Sequence, residues 1–137
     1  MVDKVALLKE LVRDESVRNR PYRCGAGKLT IGIGRNLEDV GLSDEEVQLL
    51  FENDVARVEG ELDLALPWWR GMSEVRQRVL MNMNFNLGLP RLLGFRKALA
   101  HMEARRYSDA ASEMLDSKWR RDVKDRAYRL ADAMITG

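Results

Sequence analysis

Cysteine occurs once in this 137-residue chain, at Cys24. That excludes an intramolecular disulfide and fits folding in a reducing compartment. Histidine also occurs once, at His101. One His and one Cys so far apart lack any metal-ligand spacing, so no metal is expected. No P-loop, dinucleotide fingerprint or catalytic triad is present, and no cofactor is expected. His101, next to Glu103, Arg105 and Arg106, reads as a surface residue. Net charge is almost absent, with 23 Lys and Arg against 22 Asp and Glu. Global charge therefore cannot draw the chain to an anionic polymer. A local stripe from Trp119 to Arg129 carries Arg120, Arg121, Lys124, Arg126 and Arg129 against Asp122 and Asp125. The ordinary reading of such a stripe is a solvated helix face; nucleic acid or an anionic cell envelope is the alternative. No stretch approaches the roughly 18 apolar residues of a transmembrane helix, so no membrane insertion is expected. Met1 to Asp14 mixes charges with apolar residues and has no apolar h-region, so no secretory signal is expected.

What is present is an ordinary globular mixture, 45% hydrophobic and 33% charged, long enough to bury a core as one domain. Val5, Leu8, Leu11 and Val12 share one face of a helix expected over Val2 to Asp14. From Pro21 to Gly34 the character changes. Four glycines fall within ten residues there, and Leu29, Ile31 and Ile33 alternate with Thr30, Gly32 and Gly34. This pattern predicts a small antiparallel ribbon with a Gly-rich turn near Gly25 to Gly27. Ser43 with Glu46 forms a capping box for one long helix from about Asp44 to Ala65, which Pro67 ends. Helices follow over Glu74 to about Leu87, Arg91 to Leu93, Phe95 to Arg105, Ser108 to Asp116 and Val123 to Ile135. Ser73 and Ser108 are the expected caps. The outline is α+β and mostly α. A small β-ribbon lobe (about 13–50) and a larger helical lobe (about 60–137 plus helix 2–14) are joined by a long helix.

Glu15 stands where the first helix meets the ribbon. A carboxyl placed there can face a cleft, and burial would keep it protonated for acid catalysis. One acid among 22 is ordinarily a surface charge, but its context is specific. The run from Asp14-Glu15-Ser16 to Pro21-Tyr22, followed by Gly27-Lys28-Leu29-Thr30-Ile31-Gly32-Ile33-Gly34-Arg35, resembles the active-site signature of the T4-type phage lysozymes. These are glycoside hydrolases, the endolysins and muramidases. The resemblance continues through Leu42 to Val47, Leu50 to Val55, Arg78 to Gly88, Gly94-Phe95, Tyr107 to Ala111, Ser117-Lys118-Trp119 and Arg126-Ala127. It spans nearly the whole chain and implies a lysozyme-like fold.

The resemblance also implies three catalytic positions: a Glu, an Asp nine residues on, and a Thr six further. Glu15 and Thr30 fit; the middle position is Cys24. A glycosidase normally uses two carboxyl groups flanking the bond. A free thiol is ionised only to a few per cent at pH 7. Three roles stand open for Cys24. It acts as a thiolate base or nucleophile; or it shapes the cleft while Thr30 orients water; or it marks a catalytically impaired protein that still binds peptidoglycan. Without the resemblance, Thr30 would be an unremarked strand residue.

By the same resemblance Arg126 reaches the catalytic Glu from the helical lobe, against the plain reading of a solvated arginine. Asn82 and Asn86 share a helix face that the resemblance puts at the cleft floor, where amides bond sugar hydroxyls and N-acetyl groups. Phe85 packs either under a sugar ring or into the core. Arg35 stands where the family often has His, and Asn36, Ala98 and Glu113 fall at variable subsite positions. Trp68 and Trp69 read as packing residues. The short connection from Gly34 to Ser43 suggests a reduced N-terminal lobe. The implied function is an endolysin that cleaves the β-1,4 bond between N-acetylmuramic acid and N-acetylglucosamine. Peptidoglycan glycan strands are its partners, and the protein is expected to be a monomer with no nucleic-acid partner. The family accumulates in the host cytoplasm and depends on a separate holin for access to the wall.

Overall fold

In the computed structural model, which describes residues 1–137, the Asp3 carboxylate caps the first helix. It accepts the N–H groups of Val5 and Ala6 at 3.0 and 3.1 Å, satisfying two donors that a helix start leaves orphaned. Helix α1 runs Lys4–Glu15. Ser16 stops it by taking φ +59°, a left-handed conformation that no helix continues. Three antiparallel strands follow: β1 (Arg18–Arg23), β2 (Leu29–Gly32) and β3 (Arg35–Asn36), in the order β1-β2-β3. The expected ribbon is thus longer, beginning before Pro21 and gaining a third strand. Pro21 is tolerated because β1 is an edge strand, where one missing N–H costs little. The pairing register shifts between Arg18 and Tyr22, around that proline.

Helix α2 runs Asp44–Ala65, and its capping box forms as expected. The Glu46 N–H donates to Ser43 Oγ at 3.1 Å, and the Ser43 N–H donates to Glu46 Oε1 at 2.9 Å. Pro67 does not simply end the chain's helical run; it opens a 3-10 helix, Pro67–Gly71, because proline suits a first helical position. Then come α3 (Glu74–Leu87), α4 (Leu89–Leu93), α5 (Arg96–Glu103), α6 (Tyr107–Leu115), α7 (Lys118–Val123) and α8 (Asp125–Thr136).

Three expectations are corrected here. Helix α6 begins at Tyr107, so Ser108 lies within its first turn and caps nothing; the N-cap residue Arg106 has no side-chain cap bond. Helix α7 is a separate element that periodicity missed. Ser117 caps it by accepting the Arg120 N–H at 3.1 Å, and Lys124 closes it at φ +51°, so α8 starts at Asp125 rather than Val123. Helix α5 is shorter than Phe95 to Arg105, since Arg105 adopts φ +60°.

The chain forms two compact units, Met1–Leu50 and Phe51–Gly137. In the first, Thr30 is the one buried residue. The second holds the whole hydrophobic core, from Val58 to Met134. Its fully buried members include Leu62, Trp69, Leu80, Met83, Met114 and Met134. Trp69 donates Nε1–H to Asp63 at 2.7 Å, and Arg70 binds the same carboxylate while lying over the Trp69 ring. That pins the 3-10 helix to α2. Arg76 on α3 donates to the Met134 and Ile135 carbonyls at 2.8 and 2.9 Å, filling acceptors that the end of α8 leaves open.

Candidate active site

Local backbone geometry sets the first unit's chemistry. Gly27 donates its N–H to the Cys24 carbonyl at 2.8 Å, and Cys24 donates its own N–H to Lys28 at 3.0 Å. This tight turn at the tip of β1 and β2 needs Gly27 at φ +79°, a region that glycine enters without steric cost. The turn folds the backbone N–H groups of Lys28 and Ala26 onto the Cys24 sulfur, and Thr30 adds its hydroxyl. These donors, Lys28 foremost, lower the thiol's pKa from its ordinary value near 9, against a smaller opposing effect of burial. Donors to the ionised form favour it. Cys24 is half-buried. Thr30 also donates Oγ1–H to the Lys28 carbonyl at 2.8 Å. A hydroxyl has one proton, so Thr30 serves either that carbonyl or the sulfur. Cys24 and Thr30, two of the three catalytic positions that the resemblance implies, thus lie beside each other.

Glu15 is the last residue of α1, and its carboxyl lies against Gly34. A methyl group on Gly34 would sit 3.1 Å from Glu15 Cδ and 3.2 Å from Oε2. Gly34 also holds φ +73°. Conformation and crowding together demand glycine there, a role that the alternation in the sequence could not reveal. The burial expected of Glu15 is not found: α1 leaves no residue buried, and Glu15 is exposed. Gly34 also lines a hollow of about 550 Å³ in this unit with Ile31, Arg35, Leu42 and Glu46. Arg35 is bound at its rim, donating Nη1–H to Glu46 at 2.8 Å and to the Gly41 carbonyl at 3.1 Å. Arg35 first, and then the Ser43 N–H, hold the Glu46 carboxyl down at about 2.

In the second unit, α3 presents Asn82, Phe85 and Asn86, all exposed. Phe85 is therefore not a core residue; its ring lies 6.5 Å from that of Phe51. Arg126 donates Nε–H and Nη2–H to Asn82 Oδ1 at 3.0 and 2.8 Å, and Nη2–H to the Asn82 carbonyl. Trp119 donates Nε1–H to Asn86 Oδ1 at 2.8 Å. Arg and Trp can only donate. Each amide is therefore turned so that its oxygen is taken and its NH₂ is left to bind. The sequence placed both asparagines on one face but could not show what orients them.

The phage lysozyme family matches residues 12–132. The chain belongs to that family. It is a glycoside hydrolase, a lysozyme-like muramidase that acts on the cell wall. Three relatives agree in extent. The probable T4-type lysozyme 1 of Dictyostelium discoideum is 25% identical over 97% of this chain and 96% of its own length. The probable T4-type lysozyme 2 of the same organism is 24% identical over the same shares. The pre-baseplate central spike protein Gp5 of Enterobacteria phage T4 is 27% identical over 97% of this chain, which corresponds to 28% of that protein. No helix of this lysozyme is long and apolar enough to cross a membrane.

Proposed function

We propose that the enzyme is an endolysin that hydrolyses the β-1,4 bond between N-acetylmuramic acid and N-acetylglucosamine, with Glu15 as general acid and the Cys24 thiolate as base. Glu15 protonates the glycosidic oxygen as the bond from the sugar carbon to that oxygen breaks. A water oxygen bonds to the carbon, and its proton passes to the sulfur; Thr30 orients the water. Solvent then returns the proton from thiol to carboxylate. The observation that carries this reading is the tight turn that sets Cys24 beside Lys28 and Gly27, in which the Lys28 and Ala26 backbones foremost favour the ionised sulfur and lower its pKa. They give a thiol the anionic character that the second carboxylate of a glycosidase supplies. Asn82 and Asn86 offer NH₂ donors to hydroxyl and N-acetyl oxygens, Arg126 holds Asn82 in that orientation, and Phe85 stacks beneath a sugar ring. The protein works as a monomer and reaches the wall from the host cytoplasm through a lesion made by a holin.

The test is lysis of permeabilised bacteria by Cys24→Ala and Cys24→Asp beside the parent. Loss of a general base costs about 10²- to 10⁴-fold in rate, so Ala is expected to fall by that much and Asp to stay active. Ala equal to the parent would remove the thiol from the chemistry. The rising limb of the parent's pH–rate profile is expected below the ordinary thiol value near 9. With Cys24→Asp it moves several pH units lower, towards an ordinary carboxylate near 4. Glu15→Gln is expected to abolish lysis.

A further inference from the structure

Cys24 sits in the turn between β1 and β2, and an exposed loop tip is where a hairpin is least constrained. Arg23 and Leu29, which flank that turn, are partners in the strand register. A second segment fastens it. After β3 the chain turns over residues 37–40. Asn36 and Asp39 brace that segment: the Asp39 N–H donates to Asn36 Oδ1 and the Asn36 amide donates to Asp39 Oδ2, both at 3.0 Å. Between them stands Glu38. Its Oε1 accepts Arg23 Nη1–H at 2.6 Å and the Leu29 N–H at 3.0 Å. Both ends of the Cys24 turn thus meet on one carboxylate oxygen. Arg23 Nη1 also donates to the Gly27 carbonyl at 3.2 Å, and Lys28 pairs with Asp39 at 3.3 Å. The charged groups of the two facing turns are therefore Arg23, Lys28, Glu38 and Asp39, two of each sign. Arg23 and Glu38 are both exposed, and an exposed ion pair adds little to stability. What this one fixes is geometry.

We infer that Glu38 is a positioning residue for the Cys24 thiol, acting through the turn rather than on the substrate. The inference deepens the reading of Cys24 as base and rests on it for its catalytic meaning. The Lys28 backbone is foremost among the groups that favour the ionised sulfur. Lys28 directly precedes Leu29, whose N–H Glu38 holds. With that hold released, the Lys28 backbone is free to leave the sulfur, and the thiol returns toward its ordinary behaviour. The charge of Glu38 acts the other way, because a nearby carboxylate disfavours a second anion. Hydrogen bonding and charge therefore predict opposite effects, and substitutions can separate them. Glutamine keeps the oxygen that accepts both bonds and loses the charge. Aspartate keeps the charge and is one methylene too short to hold both donors.

The experiment follows alkylation of the protein by iodoacetamide as a function of pH, in the parent, Glu38→Gln and Glu38→Asp, beside lysis of permeabilised bacteria over the same range. Only the thiolate reacts, and Cys24 is the one thiol in the chain, so the midpoint of the rate reports that residue alone. Glu38→Asp is expected to raise the midpoint toward the ordinary value near 9, and Glu38→Gln to leave it at the parent's. Lysis by Glu38→Asp at pH 7 should fall about tenfold for each pH unit that the midpoint rises, and should approach the parent's as the pH nears 9. A purely structural loss would not recover with pH. An unmoved midpoint in Glu38→Asp would overturn the inference. So would a midpoint that falls in Glu38→Gln and stays put in Glu38→Asp, since the charge and not the turn would then be acting. Midpoints that move as expected while all three proteins lyse cells equally would defeat the reading of Cys24 as base and leave the positioning of its thiol standing. Glu38→Ala, which loses both bonds and charge, repeats the test should Glu38→Asp fold poorly, and its midpoint too is expected to rise.

Discussion

Glu15 and Gly34 illustrate how a single position can be set by two constraints at once. Glycine at 34 accommodates φ +73° and also leaves room for the Glu15 carboxyl. Gly34→Ala meets both barriers. The left-handed conformation alone costs a residue with a Cβ about 1–2 kcal/mol, and the added methyl pushes the carboxyl aside. The expected outcome is a stability loss of about that size in denaturant melts. With Glu15 in the proposed role of general acid, lysis should fall further than the stability loss explains, since misplacing such a group by about 1 Å can cost 10²-fold. Full activity in a destabilised variant would show that the carboxyl tolerates the shift. At this scale the sequence was most legible where residue type matters: Glu15, Cys24 and Thr30 were all nominated from it. The Lys28 and Ala26 amides on the sulfur were not, because any residue can supply a backbone N–H.

Helix α2 shows what an element's first turn contributes. Ser43 and Glu46 satisfy each other's N–H groups, and Arg35 adds an ion pair to Glu46. Ser43→Ala is expected to cost about 1 kcal/mol, read from urea melts. The Glu46 carboxyl sits at about 2 in the fold against its ordinary 4.5. A depressed folded value stabilises above the unfolded one and is lost as pH falls through the folded one. The contribution is therefore intact above about pH 4.5 and fades toward pH 2. Its size is limited because the pair is partly exposed and screened by solvent. Thermal melts of the parent and Glu46→Gln should differ at neutral pH and converge over that window; a gap that persists at pH 2 would assign the stabilisation to something other than the charge. The same logic of caps explains what was readable among the helices. Ser43 and Ser73 stood at clear boundaries. Ser117 was overlooked because the helix it caps, α7, spans only six residues, too short to display a period.

Across the whole molecule, buried apolar area belongs to the second unit, from Val58 to Met134, while the first unit buries only Thr30. Apolar burial is the main favourable contribution to folding, at about 25 cal/mol per Å², so the units should differ in local stability. Native-state hydrogen exchange is expected to open the amides of β1, β2 and β3 at lower free energy than those of α3, α6 and α8. Equal protection in both sets would refute this. Four methionines, Met83, Met102, Met114 and Met134, are essentially inaccessible in that core. Met114→Leu conserves volume and should cost under about 1.5 kcal/mol, whereas Leu80→Ala leaves a cavity and should cost about 2–5 kcal/mol.

By itself the sequence determined the class of the fold and the boundaries of the long helices, and it nominated Glu15, Cys24 and Thr30 by residue type. Period, capping residues and side-chain type are local properties, and they are written along the chain. Tertiary structure alone decided the rest. It brought the amides of Lys28 and Ala26 onto a sulfur and set a carboxyl against Gly34. It turned Asn82 and Asn86 by means of Arg126 and Trp119, 44 and 33 residues away. It also set both ends of the Cys24 turn on the Glu38 carboxylate. Each of these is a distance between atoms remote in the chain or held by backbone, and no pattern of residue types encodes such distances directly.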